Sequence, residues 1–447
     1  MTLAEAWHAE LANGNELTPE FCQEFARAMR ARKLTFGDRI HCPFLRPFML
    51  TVADEARVRG AAETIARLGE RIAREAIDSP ALFSQLGVTD AEERLIRIEP
   101  GYGTASTASR VDAFLLPDGL HFAEYNAESP AGAGYTQLLC ELFDTLPVMG
   151  RFRRGRHVRH HITIEPLLNA LLDSYREWGG TAKPPTIAIV DWREVPTWTE
   201  FELLAAAFEA AGVPTVVCDP KDLEMSHGRL TVAGRGIDLV YRRVLLNDIV
   251  ARAAECAVLV AAYEQRAACV ANTFRCKLPH KKAFFAVLTD PANSAMFSTM
   301  ERAAIAAHVP WTRLLADTST QKDGASKGLL AIARDQRERL VLKPNDEYGG
   351  KGVMLGWEHD ASSWDAALQS ALRDAAGTWI LQERVPVRRE VFPMFDASGV
   401  VTMRDMLVDL APYLWRGKMA GYLTRLSATG LANVTSGGGQ VPAFVVD

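Results

Sequence analysis

The fold prediction rests on one segment, Arg110-Val-Asp-Ala-Phe-Leu-Leu-Pro-Asp-Gly-Leu-His-Phe-Ala-Glu-Tyr-Asn126. Two short runs of alternating polar and apolar residues flank its central Pro-Asp-Gly, which is typical of a β-hairpin. A turn centred on Asp118 places Asp112 opposite Glu124, and the first residue of the segment opposite the last, all on one face. The other face then suits a hydrophobic core and carries Val111, Ala113, Leu115, Ala123 and Tyr125.

The polar face of this hairpin predicts a cation site. Alternation places Glu124 and Asn126 next to each other on one strand face, so that two side-chain oxygens converge. A hard cation such as Mg²⁺ prefers carboxylate and amide oxygens, together with phosphate and water, in a nearly octahedral shell. The alternative interpretation is the polar face of an edge strand that binds nothing.

A second candidate site is the segment Leu342-Lys-Pro-Asn-Asp-Glu-Tyr-Gly-Gly-Lys-Gly352. Lys343 ends a predicted strand, and Gly349 and Gly350 follow in a turn. Glycine lets backbone N–H groups approach an anion closely, and the lysine supplies a positive charge for phosphate oxygens. The segment lacks the GxxxxGK[ST] pattern of a P-loop. The alternative is an exposed turn with a solvated lysine.

Three further segments add weaker candidates. Asp409 ends a predicted strand, Arg425 follows later, and Ser436-Gly-Gly-Gly439 is rich in glycine. An acidic residue, an arginine and a glycine-rich lid suit a metal and phosphate site that closes over its substrate. Runs of glycine are also common in flexible loops without a ligand.

The composition is that of an ordinary globular protein. Its 447 residues are 48% hydrophobic and 23% charged, which excludes a disordered or collagen-like chain. Lys and Arg total 50 and Asp and Glu total 55, so the net charge of −5 argues against nucleic-acid binding by bulk positive charge. The basic run at residues 151–161 is interpreted as a solvated segment between domains, with a patch for nucleic acid or an anionic substrate as the alternative.

Cysteine usage and hydropathy predict a cytoplasmic protein. The seven cysteines include no CxxC pair, so neither a zinc ribbon nor a thioredoxin-type motif is expected, and reduced thiols fit best. No stretch approaches the roughly 18 apolar residues of a membrane span, and the N-terminus has no signal-peptide pattern. We therefore expect no membrane partner.

Periodicity divides the chain into four parts. Residues 1–95 carry apolar residues at helical spacing and predict a helical packing segment. Residues 96–180 contain the hairpin. Residues 181–255 alternate strands with a helix, which predicts a small α/β unit with parallel strands and no GxGxxG dinucleotide motif. Residues 256–447 show a mixed α+β pattern.

These motifs together resemble the ATP-grasp superfamily, specifically its circularly permuted branch with eukaryotic-type glutathione synthetase and glutathionylspermidine-synthase-like proteins. Glu124-Tyr-Asn126 looks like the metal strand of that family, and it precedes Lys343, which is the permuted order. The resemblance covers residues 96–447 and implies a circularly permuted ATP-grasp fold of class α+β, with an α/β subdomain and an N-terminal helical segment. Two departures, Ser427 in place of a lysine and a lid of different sequence, leave the product open.

The resemblance also implies roles for single residues. The implied Mg²⁺ ligands are Glu124, Asn126 and Glu347. The implied catalytic or substrate-binding residues are Arg110, Arg243 and Arg425. ATP contacts are implied for lysines, the glycine turn, a hinge strand, a closing strand and a glycine lid, namely Lys281, Lys282, Lys343, Gly349, Gly350, Gln382, Glu383, Val385, Asp409, Ser436, Gly437 and Gly438. Of the adjacent Lys281 and Lys282, either is a candidate for the ATP contact.

The implied function is an ATP-dependent ligase that joins a carboxylate to an amine through an acyl phosphate. Amino acids, small peptides or polyamines are the expected substrates, and ATP and Mg²⁺ the expected cofactors. The acyl phosphate must be shielded from water, which is the role expected for the glycine lid. The alternative is a catalytically degenerate ATP-binding module that acts through a protein partner. Nucleic acid is not an expected partner, and a homodimer is a candidate assembly.

Overall fold

The structure, a computed structural model, describes residues 1–347, 349–374, 377–429 and 438–447. Its N-terminal region is mainly helical, as predicted, but the helical prediction for residues 1–95 misses three short strands. The elements of this region are α1 (Leu3–Ala12), α2 (Pro19–Ala31), β1 (Thr35–Phe36), β2 (Arg39–Ile40), β3 (Phe48–Thr51), α3 (Val52–Ala76), α4 (Pro80–Leu86) and α5 (Asp90–Ile96).

Threonine caps explain where several of these helices begin. The side chains of Thr2, Thr18, Thr51 and Thr89 each accept a hydrogen bond from the backbone N–H three residues further along. Each bond satisfies an N–H group that has no partner within the first helical turn. The helix starts are therefore set by local sequence.

The predicted hairpin is present, with the predicted register for its polar face. Asp112 pairs with Glu124, and the outer pair, residues 110 and 126, also matches. The prediction that Ala123 faces the core is wrong, because a β-bulge inserts it as an extra residue and Phe122 takes the buried position opposite Ala113. The elements here are β4 (Ala108–Leu115), β5 (Leu120–Asn126), α6 (Ala133–Asp144), α7 (Pro147–Phe152), β6 (Val158–Arg159) and α8 (Ile164–Glu177).

The next region contains the predicted α/β unit. Its elements are β7 (Ile187–Val190), α9 (Trp198–Ala210), β8 (Thr215–Cys218), β9 (Leu223–Ser226), β10 (Arg229–Val232), β11 (Arg235–Gly236), β12 (Leu239–Arg242), α10 (Leu246–Ala251), α11 (Ala257–Glu264) and β13 (Cys269–Ala271). The sheet has the order β13-β12-β7-β8 with all neighbours parallel. Its edge strand β13 lies beyond the boundary predicted at residue 255.

A second sheet, antiparallel, follows in the chain. The elements are α12 (Lys277–His280), α13 (Ala283–Thr289), α14 (Thr299–His308), β14 (Thr312–Leu314), β15 (Ser319–Lys322), β16 (Ala325–Gly328), α15 (Leu329–Asp335), β17 (Leu340–Pro344), β18 (Met354–Leu355), α16 (Ala361–Leu372) and β19 (Trp379–Glu383). The strand order is β14-β19-β17-β18. The predicted strands that contain Lys343 and Gln382 are direct neighbours in this sheet.

The last strands return to the hairpin and form the central sheet. They are β20 (Arg388–Phe395), β21 (Val401–Trp415), β22 (Lys418–Ser427), β23 (Gly439–Val441) and β24 (Ala443–Val446). The central sheet has the order β23-β22-β21-β4-β5, and β20 also pairs with β21. Short 3₁₀ helices occupy Pro220–Asp222, Phe274–Cys276, Pro291–Met296, Arg337–Arg339 and Gly356–Glu358.

Strand β24 connects the two ends of the described chain. It pairs parallel to β3 and antiparallel to β6, so that residues 48–51 and 443–446 share one small sheet. The helical N-terminal region therefore packs as part of the same body as the central sheet. Across the described ranges, no helix has the length and apolar character needed to cross a membrane.

Candidate functional site

A cavity of about 380 Å³ lies between the central sheet and the second sheet. Strands β4, β5, β21 and β22 of the central sheet and strands β17, β18 and β19 of the second sheet line it, and both sheets contribute charged and apolar side chains. The predicted site residues that line it are Glu124, Lys282, Lys343, Glu347, Gly349, Gly350, Gln382, Glu383, Val385, Asp409 and Arg425. One cavity therefore collects side chains from both predicted motifs and from four further segments.

Other predicted site residues lie elsewhere. Those that the structure describes outside the lining are Arg110, Asn126, Arg243, Lys281 and Gly438. Ser436 and Gly437 lie outside the described residues. The buried Gly438 carbonyl accepts a hydrogen bond from Arg39 Nη2 at 3.0 Å, which ties this residue to the β1–β2 hairpin.

Two lysines form the cationic end of the cavity. Lys282 Nζ lies 3.2 Å from a Glu124 carboxylate oxygen and donates to the Glu347 carbonyl at 2.5 Å. Lys343 Nζ donates to Gln382 Oε1 at 2.7 Å. Burial lowers the pKa of Lys343 to about 8, and the nearby Glu124 opposes that shift. This end of the cavity therefore suits a polyanion.

The predicted metal ligands do not form a closed cage, and of their side chains only the Glu124 carboxylate contacts Lys282 among the ion pairs described. Asn126 Nδ2 lies 3.3 Å from Glu124 Oε1, as expected for neighbours on one strand face. Burial opposes ionisation of Glu124, but Lys282 and Lys343 outweigh it and hold the pKa of its carboxyl below the usual value. The Glu347 carboxylate accepts from Lys351 at 3.1 Å. Within the described ranges, no three or more Asp, Glu, His or Cys side chains group to hold a metal.

A quartet of buried charges underlies the cavity on the central sheet. Arg110 Nε lies 2.8 Å from Asp112, and Arg425 contacts both Asp112, at 2.5 Å, and Asp409. Burial raises the pKa of Asp409 to about 6; Arg425 opposes this shift, whereas Asp112 adds to it. Arg110 is buried in its ion pair, and Arg425 reaches the cavity only as a bridge between two carboxylates.

Arg243 lies at the carboxyl end of β12, and not all of its N–H donors have a hydrogen-bond partner among the described residues. Its Nη1 donates to Tyr241 Oη at 2.9 Å and its Nη2 to the Ser129 carbonyl at 3.4 Å. Its Nε has no hydrogen-bond partner among the described residues, although the side chain is buried. A guanidinium can bind a carboxylate bidentately, but Arg243 is not among the residues that line this cavity.

The predicted hinge strand β19 closes the apolar end. Gln382 bridges Lys343 and Thr312, because its Nε2 donates to Thr312 Oγ1 at 3.2 Å. The Glu383 carboxylate is held by Lys322 at 3.1 Å and Arg339 at 3.0 Å. The hinge segment is therefore fixed by side chains on both sides of the strand. Apolar side chains complete this end, namely Val341, Val353, Leu355, Val385 and Leu407.

The glycine turn after β17 adopts the backbone geometry that its sequence predicts. Gly349 and Gly350 have φ of 66° and 76°, a left-handed conformation that side chains with a Cβ rarely adopt. Asn345 anchors the start of the turn: its Oδ1 accepts from the Ala283 N–H and its Nδ2 donates to the Leu86 carbonyl, both at 2.8 Å. Glycine therefore brings this turn to the cavity wall.

The structure shows which of the two adjacent lysines faces the cavity. Lys282 lines it, whereas Lys281 Nζ pairs with Glu92 at 2.9 Å and Asp346 at 3.3 Å outside the lining. Helix α12 ends at His280, and Lys281 has an extended ψ of 135°. The chain direction therefore changes between the two residues and their side chains diverge.

Lys277 and Trp357 are among the residues at or near the cavity that the sequence reasoning missed. Lys277 is fully buried and pairs with Asp346, the residue before Glu347. A weak signal existed, because Lys277 precedes Lys281 by four residues, one helical turn. Trp357 lines the cavity with the Arg384 guanidinium 4.0 Å from its ring centre. No motif points to Trp357.

No family model and no curated protein sequence matches this chain. Among solved structures, it is similar to a glutathione synthetase-like effector from Globodera pallida in its apo form. The likeness covers 95% of this chain and 96% of the effector, with a TM-score of 0.61 and 13% sequence identity. The two chains share a fold.

Two other solved structures show weaker likeness. One is a candidate gamma-glutamylcysteine synthetase from Methylobacillus flagellatus, with a TM-score of 0.40, 11% identity and 88% of each chain covered. The other is a D-cycloserine synthetase, with a TM-score of 0.31, 20% identity, 45% of this chain and 59% of that one. These two add nothing to the fold assignment. The α+β fold is thus of the glutathione synthetase-like type, and its circular permutation stays a prediction.

Proposed function

We propose that this chain is an ATP-dependent, Mg²⁺-dependent ligase that joins a carboxylate to an amine. The observation that carries the proposal is the single cavity in which Lys282, Lys343, Glu124 and Glu347 meet the hinge segment. Glu124 is more than two hundred positions from Lys343 and Glu347 in the sequence. The shared fold with a glutathione synthetase-like effector is a second support.

The cavity fits a nucleotide from its apolar end to its cationic end. Its volume of about 380 Å³ is in the range of small-molecule sites. Val341, Leu355 and Leu407 offer an apolar slot for a base, while Lys282 and Lys343 offer charge for the phosphates. At 4 Å and an effective dielectric near 20, each cation–phosphate contact is worth about 4 kcal/mol before desolvation.

The donor set beside the lysines fits Mg²⁺ when phosphate oxygens complete the shell. Glu124, Asn126 and Glu347 would hold the ion, because carboxylate and amide oxygens are the ligands that Mg²⁺ prefers. Bound Mg²⁺ would neutralise charge on the phosphate oxygens. Glu124 now pairs with Lys282 and Glu347 with Lys351, and each carboxylate would exchange its lysine partner for the ion.

The remaining site residues would orient the carboxylic acid substrate and shield the acyl phosphate, the product of the first step, from water. In the proposed reaction, a carboxylate oxygen of the acid attacks the γ-phosphorus of ATP and ADP leaves. The amine then attacks the acyl carbon and phosphate leaves. Such transfer mainly requires alignment and charge neutralisation. Arg243, with its unpaired Nε, is better suited to hold the acid than Arg110, which is already paired with Asp112.

Release of ADP tests the proposal. The protein is incubated with ATP, Mg²⁺ and pairs drawn from amino acids, small peptides and polyamines, and we expect ADP with at least one pair. Lys343→Met should lower the turnover rate by at least about a hundredfold, because a fixed charge at the phosphates is lost. Lys327→Met, at an exposed lysine in β16, is the matched control and should not change it.

A nucleotide-binding module without catalysis is the second candidate. The observation that favours it is the pairing of both acidic metal-ligand candidates with lysines, and the lack of an acidic metal cluster among the residues described. It predicts tight ATP binding without ADP release for any acceptor. Wild-type turnover in Lys343→Met would instead contradict the site assignment itself.

A further inference from the structure

A row of buried ion pairs runs beside the cavity. Arg242 Nη1 lies 2.9 Å from Glu128 Oε1, and Glu128 Oε2 lies 3.2 Å from Lys277 Nζ. Lys277 Nζ in turn lies 2.5 Å from Asp346 Oδ1. The side chains of Arg242, Glu128 and Lys277 have no solvent exposure. The α/β unit, the segment after β5, helix α12 and the glycine turn are thereby joined through charges.

The row continues from Asp346 to the N-terminal region. Asp346 Oδ2 lies 3.3 Å from Lys281 Nζ, and Lys281 Nζ lies 2.9 Å from Glu92 in α5. We call these six residues the ion-pair chain. It contains three cations and three anions and is neutral as a whole. A buried charge is tolerated only when it is paired, so each member depends on its neighbours.

Members of the ion-pair chain stand next to predicted site residues in the sequence. The neighbours are Arg243 beside Arg242, Lys282 beside Lys281, Glu347 beside Asp346, and Asn126 two residues before Glu128. The members point away from the cavity lining, and their neighbours carry the candidate substrate, nucleotide and metal contacts. The ion-pair chain therefore holds the backbone segments that present these contacts.

Three consecutive residues at the start of the glycine turn, residues 345–347, are anchored, the last of them through its backbone carbonyl, which accepts from Lys282 at 2.5 Å. Asn345 is held by the Ala283 N–H, and Asp346 by Lys277 and, at the longer distance of 3.3 Å, by Lys281. The side chain of Glu347 itself contacts only the largely exposed Lys351 among the ion pairs described here. The direction in which the Glu347 side chain leaves the turn is therefore set by the ion pairs of Asp346 and by the hydrogen bond from Lys282 to the Glu347 carbonyl.

We propose that Lys277 is a positioning residue that, by holding Asp346, directs Glu347 toward the Mg²⁺ bound by Glu124 and Asn126. The inference rests on the proposed function, because it assigns Lys277 to the metal-dependent part of nucleotide binding. Lys277 lies outside the cavity lining and acts through Asp346. Groups that orient a metal ligand typically change metal affinity by roughly tenfold to a hundredfold when they are removed.

The double variant Lys277→Met with Asp346→Asn tests the proposal. It removes one cation and one anion and leaves two complete pairs, Arg242 with Glu128 and Lys281 with Glu92, so we expect a melting temperature close to that of the wild type. Calorimetric titration with ADP, in Mg²⁺ and in EDTA, gives two dissociation constants. We expect the affinity in Mg²⁺ to fall roughly tenfold to a hundredfold and the affinity in EDTA to stay unchanged.

A second double variant, Arg151→Met with Glu16→Gln, is the matched control. It removes a largely buried ion pair, 2.6 Å long, between α7 and the loop after α1, and should change neither constant. If the Lys277 and Asp346 double variant melts below the assay temperature, Asp346→Glu takes its place, since it keeps the charge and shifts the turn by one methylene.

Three outcomes would overturn the inference. Wild-type affinity for ADP in Mg²⁺ would remove the positioning role and leave the proposed function intact. An equal loss in Mg²⁺ and in EDTA would assign Lys277 a merely structural role, because the whole nucleotide site would then be disturbed. A wild-type protein that binds no ADP in either condition would overturn the proposed function together with this inference.

Discussion

Two opposing effects set the pKa of Lys343 in the cavity: desolvation by burial and the charge of a nearby carboxylate. Burial lowers its pKa to about 8 from an ordinary value of 10.5, and Glu124 acts in the opposite direction. The protein without nucleotide therefore releases this proton near pH 8. A nucleotide phosphate beside Lys343 favours the protonated form, so its pKa must rise when ATP binds.

We expect the affinity for ATP to fall as the pH rises above about 8. Binding then requires proton uptake, and the affinity falls by up to about tenfold per pH unit until the pH reaches the pKa of Lys343 in the complex. Lys343→Arg keeps its charge over this range and should remove the pH dependence. Calorimetric titration between about pH 7 and pH 9.5 measures this effect, and a flat wild-type profile would contradict it.

At the scale of single elements, the hairpin shows how far local sequence determines structure. Pro117-Asp-Gly119 fixes the turn and alternation fixes the faces, so the pairing of Asp112 with Glu124 follows from the sequence. The bulge at Ala123 does not follow. Two residues there oppose one on β4, and this count depends on packing against α12 and α14, which a single strand does not encode.

The bulge itself leads to a prediction. Deletion of Ala123 restores regular pairing, because Glu124 already pairs with Asp112 and Phe122 with Ala113. We expect a folded protein that melts within a few degrees of the wild type. Bulges redirect neighbouring side chains, so the Glu124 carboxylate should no longer point toward the proposed Mg²⁺ site. The Mg²⁺-dependent affinity for ADP should therefore fall more than about tenfold.

Ala123→Gly is the control for this deletion, because it keeps the extra residue and should keep the affinity. The measurements are thermal melting and calorimetric titration with ADP at several Mg²⁺ concentrations. A deletion variant with wild-type affinity at every Mg²⁺ concentration would show that the bulge does not orient Glu124.

At the scale of the whole molecule, the sequence predicts which residue types form the site. It does not predict how those residues are arranged in space. Residue types and turn chemistry pointed to Lys343, Glu124 and the glycine turn. Which of Lys281 and Lys282 faces the cavity depends on where α12 ends. The ion pair of Lys277 with Asp346 depends on how α12 packs against the glycine turn. No periodic pattern in the sequence indicates either of these two features.

The structural role of the basic run at residues 151–161 also follows only from the whole molecule. Carboxylates elsewhere in the chain contact most of its arginine and histidine side chains. The pairs are Arg151 with Glu16, Arg153 and His160 with Asp144, Arg159 and His161 with Glu55, and His157 with Asp447. The run therefore fastens the N-terminal helices and the last strand to the region around β6. It does not present an open cationic face.

We expect no salt-dependent retention of the protein on a polyanion such as heparin at about 0.15 M salt. The net charge of −5 repels a polyanion over a Debye length of about 8 Å, and the paired arginines release few counterions. Arg154, with 74% of its side chain exposed, and Arg156 are the cations of the run least engaged with carboxylates among the described residues. Replacing both with Gln should leave elution unchanged. Retention that weakens with salt and disappears in this variant would instead give the run a polyanion-binding role.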